Sequence, residues 1–501
     1  MKIWGISANS HDAALAVFDY GLQGLTAKRD LKLLFASQSE RFSGIKNDPD
    51  LHDYLIDYAE TNWGKPDEIV WYERPFKKSI RQFIAGQGWN YKDNDVHDYL
   101  NNIYSTLGDR PITFVDHHHS HAAAGYYTSG YNSACVVSID SIGEFETFTI
   151  WTGEGDKLKK VFKQNYPHSV GLWYSAFTQR LGLKPQEDEY ILMGMAAYGD
   201  PDRFYRDIVK DFIARWPDMT DPTIRFKHNL HRGCMWWRPE LNTEQDLFDI
   251  AAAVQRIYEH IFEYIIQYVS QYDIPNLVLT GGCALNCSAN GIAKKYFKNV
   301  WIMPNPGDSG SAIGAVLAKY NKHITWPGPY LGYNIEGEYP VEKVIQELLA
   351  NGICGVANGR SEFGPRALGN RSLLADPRGS DIRSRVNDIK QRQQFRPFAP
   401  AILAEYAGDY FDGCTGPYMQ FTARCRFPEL YPAIIHADGT SRVQTVSPED
   451  NPGFRQLLER WYAETGCPML LNTSLNIKGQ PIVNNRHDAN LFENTYGVKV
   501  F

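Results

Sequence analysis

The sequence predicts a two-domain α/β protein, and three observations carry that reading. Apolar strands ending in turns of small residues recur through the first two thirds of the chain, one long segment has helical apolar spacing, and arginines crowd beside glycines beyond about residue 350. At 501 residues the chain exceeds what one hydrophobic core organises, since domains average about 150 residues. We therefore expect two large domains, residues 1–330 and 331–501. The 43% hydrophobic and 22% charged composition is that of a globular protein, and no apolar run approaches the roughly 20 residues of a bilayer span. The opening MKIWGISANSHDAALAVF alternates like a buried strand and lacks the charged-then-apolar layout of a secretory leader. A soluble cytoplasmic protein is the expectation.

At the N-terminus, IWGISANSHDAALAVF reads as strand, small-residue turn and returning strand, with His11 and Asp12 in the turn. Lys77, Lys78 and Arg81 form one small basic cluster, read as a solvated helix face. The net charge of −7 gives no bulk attraction to nucleic acid. In VDHHHSHAAAGYY, His117 and His121 stand four apart, so a helix places both imidazoles on one face where they can grip one metal ion. ACVVSIDSIGEFETFTIW repeats the strand–turn–strand design. In DLFDIAAAVQRIYEHIFEYIIQYVSQY the residues Ile250, Val254, Ile257, Ile261 and Ile265 recur at helical spacing and should pack under the strand NLVLT. NLVLTGGCALNCSANGIAKK and NPGDSGSAIGAVLAKY each end a strand in a glycine turn before a helix. Such turns expose backbone N–H groups suited to phosphate, and three of them in one domain suggest a nucleotide cleft. The loop TWPGPYLGYNIEGEYP marks the domain boundary.

Eight cysteines lie scattered without a disulfide framework, and Cys283 with Cys287 lacks the second pair of a zinc site; all read as buried thiols. In the second part GRSEFGPRALGNRSLLADPR, KQRQQFRPFAP and SRVQTV bring Arg366, Arg371, Arg396 and Arg442 toward a polyanionic ligand, with Lys390 adding a point charge. Arg378, Arg383 and Arg385 are instead expected in surface ion pairs with Glu362, Asp376 and Asp388.

SHDAALAVF, DHHHSHAAAGYY, DEYILMGMAAYG, LTGGCALN, NPGDSGSAIGA and FGPRALGNRSLLADPR together resemble the O-carbamoyltransferases of the nodulation-protein and antibiotic-tailoring type, along nearly the whole chain. The resemblance implies an N-terminal domain with the duplicated actin-like ATPase fold (Kae1-like), as in the universal tRNA-threonylcarbamoyl-transferase subunit. It implies a C-terminal α+β domain with a twisted sheet (YrdC-like), as in the enzymes that make threonylcarbamoyl adenylate. The implied reaction has two steps: carbamoyl phosphate and ATP, with Mg²⁺, give carbamoyl adenylate and pyrophosphate, and the carbamoyl group then passes to a hydroxyl acceptor.

By the same resemblance His117, His121 and Asp308 would ligate a metal, usually Fe²⁺. Two imidazoles and a carboxylate leave open coordination positions, as such an ion requires. His118 matches a commonly present neighbour, and His119 reads as a solvated or capping histidine. His11 and Asp12 match the transfer site, where His11 would accept the acceptor's proton. Asp140 and Glu144 match acidic positions near the phosphates or the metal's outer sphere. Gly281, Gly282 and Asn286 match the nucleotide-contacting turn. Arg366, Lys390, Arg396, Arg442, Ser474 and Asn476 match contacts to carbamoyl phosphate and ATP. The chain departs from the family at Ser141, where glycine is common, and at Ile191, where lysine is common.

Rival readings are an actin-like-fold kinase, a threonylcarbamoyl-type tRNA-modifying enzyme and a non-catalytic nucleotide-binding scaffold. The first leaves the histidine pair and the arginine-rich half unexplained, the second expects a basic tRNA surface, and the third makes the ligand sets coincidence. The acceptor stays open among a natural product, a sugar and a hydroxymethylpyrimidine nucleotide or DNA. Aromatic residues in KSIRQFIAGQGWNYKDNDVHDYL and HRGCMWWRPE suit stacking on a sugar or a base, or burial in the core. No membrane partner is expected, and a homodimer is compatible with the resemblance.

Overall fold

The computed structural model describes residues 1–22, 29–105 and 107–501. In the first lobe β1 (Lys2–Ser7), β2 (Ala14–Leu22) and β3 (Arg29–Gln38) run antiparallel. β4 (Glu68–Trp71) and β5 (Ile112–Phe114) continue the sheet in parallel from β1, giving the order β3-β2-β1-β4-β5. A second lobe repeats this with β6 (Ser133–Gly143), β7 (Glu146–Glu154), β8 (Lys157–Asn165), β9 (Asn276–Thr280) and β10 (Asn299–Ile302), in the order β8-β7-β6-β9-β10. Three antiparallel strands followed by two parallel ones thus occur twice, which is the duplicated actin-like design.

Five helices position the cavity-lining segments and the core beneath them: α1 (Pro75–Ile84), α2 (His117–Thr128), α3 (Glu189–Met195), α4 (Glu244–Ser270) and α5 (Ser311–Tyr320). Helix α2 follows the first sheet but packs on β6 and β9 of the second, while α5 follows the second sheet and packs on β1 of the first. The two helices cross so closely that a Cβ on Gly314 would lie 1.9 Å from the Ser120 carbonyl oxygen, so only glycine fits. Because α2 lies between the second sheet and α5 it is buried nearly all round, as a helix without a polar stripe must be. Helix α4 starts at a capping box, Thr243 with Asp246. Its Ile250, Val254, Ile257, Ile261 and Ile265 are fully buried in one core with Leu277 and Leu279 of β9, as their spacing predicts.

The second domain holds β11 (Tyr330–Ile335), β12 (Ile353–Ala357), β13 (Gly359–Glu362), β14 (Arg371–Ala375), β15 (Ala399–Leu403), β16 (Gln444–Val446) and β17 (Met469–Ser474). Five of these form a mixed sheet in the order β12-β14-β17-β15-β16, and β11 pairs with β13. Helices α6 (Val341–Asn351) and α7 (Pro452–Thr465) bury Val344, Leu348, Leu457 and Trp461 in a core with Leu373 and Leu470. The segment read as a boundary loop therefore contains a strand: its Pro residues, Gly328 and Gly337 flank YLGYNI, which pairs with β13. Among the described residues no helix is long and apolar enough to cross a membrane.

Candidate active site

His117 and His121 occupy the first turns of α2, Asp140 lies near the end of β6, and Asp308 begins the 3₁₀ turn leading into α5. The crossing of α2 and α5 brings these segments to one point, where all four side chains are buried. The two Nε2 atoms stand 3.0 Å apart. Asp140 Oδ2 lies 3.3 Å from His117 Nε2, and Asp308 Oδ1 lies 3.2 Å from His121 Nε2 and 3.5 Å from His117 Nε2. Burial by itself would lower both imidazole pKa values, but the Asp308 and Asp140 carboxylates outweigh it and raise them. The imidazoles in turn hold both carboxyls below their ordinary range despite burial. The pocket stabilises positive charge.

These donors fit a divalent ion. Four ligand atoms lie within 4.8 Å of one another, and two nitrogens bound at about 2.1 Å and at right angles would stand about 3.0 Å apart. Two imidazole nitrogens and two carboxylate oxygens suit an iron-like cation. His121 Nδ1 lies 3.3 Å from Ser311 Oγ, the kind of outer contact that fixes a ligating ring. Packing adds a steric limit, because a Cβ on Gly143 would come within 2.1 Å of the His117 ring. His11 reaches Asp308 Oδ2 at 3.6 Å from its Nε2. Asp12 adopts φ 60°, a left-handed conformation rare outside glycine, and its buried Oδ1 has no hydrogen-bond partner among the described residues. Gly282 donates its N–H to Asp140 Oδ1 at 3.1 Å, after Gly281 has turned the chain with φ 83°.

The second domain supplies the opposite charge. Lys390 is buried and donates to the carbonyl of Ser474, to the Asn476 carbonyl at 2.8 Å and to Asn476 Oδ1 at 3.0 Å. Arg366 is pushed down to about 9 by burial and then by the neighbouring Arg442. Among the described residues neither Arg366 nor Arg442 has a protein acceptor for its guanidinium, and buried Arg442 Nε is unpartnered. Such cations call for an anion. One cavity of about 440 Å³ joins the two regions, with His11, Asp12, Asp140 and Asp308 at one end and Arg366, Lys390, Arg396 and Arg442 at the other. Gly282, Asn286, Ser474 and Asn476 also line it.

Family models for the carbamoyltransferase N-terminus and C-terminus match residues 67–317 and 345–500. The chain belongs to the carbamoyltransferase family. It is 34% identical to an uncharacterised protein of Synechocystis, over 97% of this chain and 93% of that one. It is 31% identical to the nodulation protein NolNO of Sinorhizobium fredii, over 92% of this chain and 75% of that one. It is 27% identical to the 3'-hydroxymethylcephem-O-carbamoyltransferase of Amycolatopsis lactamdurans, over 97% of this chain and 95% of that one. The protein is thus an enzyme of the carbamoyltransferase type.

In this carbamoyltransferase several side chains depart from their sequence reading. Arg371 does not reach the cavity: it is fully buried and donates to the carbonyls of Asn484, Asn358 and Tyr333 at 3.0, 2.9 and 3.0 Å. Lys78 and Arg81 are not solvated; Lys78 binds Glu73 and the Asn9 carbonyl at 2.7 Å, and Arg81 binds the Glu144 carbonyl at 3.2 Å. Lys77 remains half exposed and pairs with Asp116. His119 is not solvated but stacks on Trp151 at 5.2 Å, and burial lowers it to about 4. Arg378 pairs with Asp376 as expected, whereas Arg385 pairs with Asp381 and Arg383 donates to Tyr198 Oη. Glu362 accepts backbone N–H groups from Leu368 and Asn370, and Asp388 accepts from Gln394.

Glu144 sits away from the cavity lining, where it accepts the Arg74 N–H at 2.7 Å and the His117 N–H at 3.4 Å. Asn286 bonds Gln255 and caps a short helical turn at Ala289. His118 turns away from the ligand face to Thr149 Oγ1 at 3.1 Å. Of the aromatic residues, Trp237 is core, whereas Phe83, Trp89, Tyr91 and Trp236 are exposed. Sequence reasoning placed Asp140 near the phosphates or the metal's outer sphere, whereas its carboxylate stands among the candidate ligand atoms themselves. It missed the cavity roles of Glu40, Lys46, Tyr190 and Arg392. Asp140 had a signal in the hairpin acid; Arg392 had one in its place between Lys390 and Arg396.

Proposed function

We propose that this protein is an ATP-dependent O-carbamoyltransferase that makes carbamoyl adenylate in its second domain and transfers the carbamoyl group to a hydroxyl in its first. The observation that carries the reading is the cavity lined at one end by the guanidinium cluster and at the other by His11 and by Asp140 and Asp308, the carboxylates that border the histidine pair. Both proposed substrates, carbamoyl phosphate and ATP with Mg²⁺, are polyanions suited to Arg366, Arg396, Arg442 and Lys390. Atom balance has carbamoyl phosphate lose phosphate with one water consumed, leaving carbamate, whose oxygen attacks the α-phosphorus of ATP and expels pyrophosphate. Asn476 and Ser474 position Lys390 for that step. The mixed anhydride is reactive toward water, and a shared cavity keeps it enclosed until transfer.

At the first-domain end, His117, His121, Asp308 and Asp140 would hold a divalent ion, Fe²⁺ by the family resemblance. When bound, that ion supplies Lewis-acid stabilisation of charge on the departing AMP. His11 lies beside Asp308 and takes the acceptor hydroxyl's proton as its oxygen attacks the carbamoyl carbon. The C–O bond to AMP breaks, and the proton stays on His11. The acceptor is a natural product, a sugar or a hydroxymethylated pyrimidine. A cytoplasmic location belongs to the same proposal, because both proposed substrates are made there.

The test supplies the purified chain with Fe²⁺, Mg²⁺, ATP and carbamoyl phosphate and follows the nucleotide products. Pyrophosphate release, with AMP once a hydroxyl acceptor is added, is expected; ADP would overturn the reading in favour of a kinase. A mass-spectrometric screen of hydroxylated acceptors for the added carbamoyl group then identifies the class.

A further inference from the structure

One pair of side chains joins the two domains inside the cavity. The Arg396 guanidinium carbon lies 4.7 Å from the centre of the Tyr190 ring, and both residues line the cavity. Tyr190 belongs to α3 of the first domain and Arg396 to the segment before β15 of the second. The neighbouring cations differ in their partners. Lys390 is held by Ser474 and Asn476, and Arg392 by Asn387 Oδ1 at 2.7 Å and the Phe398 ring at 4.1 Å, all within the second domain. Among the described residues Arg366 and Arg442 have no protein acceptor, and Arg396 takes its side-chain partner from across the domain seam.

The backbone beside Arg396 is gripped from the same side. Tyr198 Oη donates to the Phe395 carbonyl at 2.9 Å, and the Phe395 ring packs edge-on to Tyr198 at 5.8 Å and to Phe248 at 5.7 Å. A guanidinium set beside Arg366 and Arg442 is repelled by like charge and would swing toward water. The negative face of an aromatic ring opposes that swing.

We propose that Tyr190 is a positioning residue for the anion site: it holds Arg396 beside Arg366 and Arg442, so that the second domain's affinity for phosphates depends on a ring from the first. The inference rests on the reading of the guanidinium cluster as the phosphate site. Tyr190 is 39% exposed, so replacing it leaves the core intact.

The test is a double-mutant cycle on the full chain, with inorganic pyrophosphate binding measured by calorimetry without turnover. Y190L, which keeps bulk but not the π face, is expected to weaken pyrophosphate binding roughly tenfold, while Y190F stays within about twofold of the native protein. In an R396A background Y190L should cost nothing further, because its effect runs through that guanidinium. In turnover the KM for ATP should rise with kcat little changed. Unchanged binding in Y190L, a loss in Y190F equal to that in Y190L, additive losses with R396A, or no pyrophosphate binding by the native chain would each overturn it. Absence of pyrophosphate release from ATP by a native chain that does bind pyrophosphate overturns the proposed reaction instead.

Discussion

His117 and His121 illustrate how far a residue pattern reaches. Their four-residue spacing is legible in the sequence, but two imidazoles at that spacing are also a common packing motif, and the carboxylates that complete the cluster lie 19 and 187 residues beyond His121. H121A is expected to lose at least about tenfold in divalent-metal affinity, read by metal analysis after dialysis, with carbamoyl transfer falling more than pyrophosphate release. S311A, which removes only the contact to His121 Nδ1, should cost about 10-fold or more in metal affinity while leaving thermal stability unchanged. The arginines teach the opposite lesson. Arg366 and Arg371 are alike in sequence context, yet the first faces the cavity with no protein acceptor among the described residues and the second is consumed by carbonyls. R366A should raise the KM for ATP by about 10- to 100-fold, the worth of a charge-assisted hydrogen bond, whereas R371A should instead lower the urea midpoint.

At the scale of elements, apolar period was decisive where an element is buried on one face. Helix α4 shows its stripe plainly, and I257A, a fully buried position, should cost about 2–5 kcal/mol in urea denaturation. Helix α2 shows no stripe because the second sheet covers it on one side and α5 on the other, so its place came from the histidine motif rather than from period. Gly314 is invisible as a constraint until the crossing with Ser120 is seen. G314A is expected to destabilise the protein by about 3 kcal/mol, measured by the same unfolding transition. The YLGYNI strand was hidden for a related reason: glycine and proline at its ends signal a loop, while edge pairing with β13 supplies hydrogen bonds that local sequence does not encode.

Over the whole molecule, each domain has its own buried core, and the cavity is lined from both, by Tyr174 and Tyr258 of the first and Phe398 of the second. Burial lifts the thiols of Cys135 and Cys234 to about 12 and that of Cys467 to about 11. Raised thiol pKa values mean that almost no thiolate exists at pH 8, so iodoacetamide should leave these three unmodified in the native protein and label them only after unfolding. Peptide mapping of Cys135 and Cys467 across a denaturant series then reports the first and second domains separately. Adding pyrophosphate at 100 times its dissociation constant should stabilise by about 2.7 kcal/mol and delay labelling of Cys467.

The sequence by itself determined the family, the duplicated strand–turn design and the residue types of both ends of the site, because those are written in local motifs and periodicity. Tertiary structure alone decided which arginines face the cavity, that Asp140 joins the histidine pair, and that Tyr190 meets Arg396. These depend on how α2 and α5 cross between sheets and on how two domains abut, and such contacts join residues far apart in the chain whose partners no local pattern records. The paired histidines are therefore a motif in the sequence, and only in the fold do they meet Asp140 and Asp308, the carboxylates that line one end of the shared cavity.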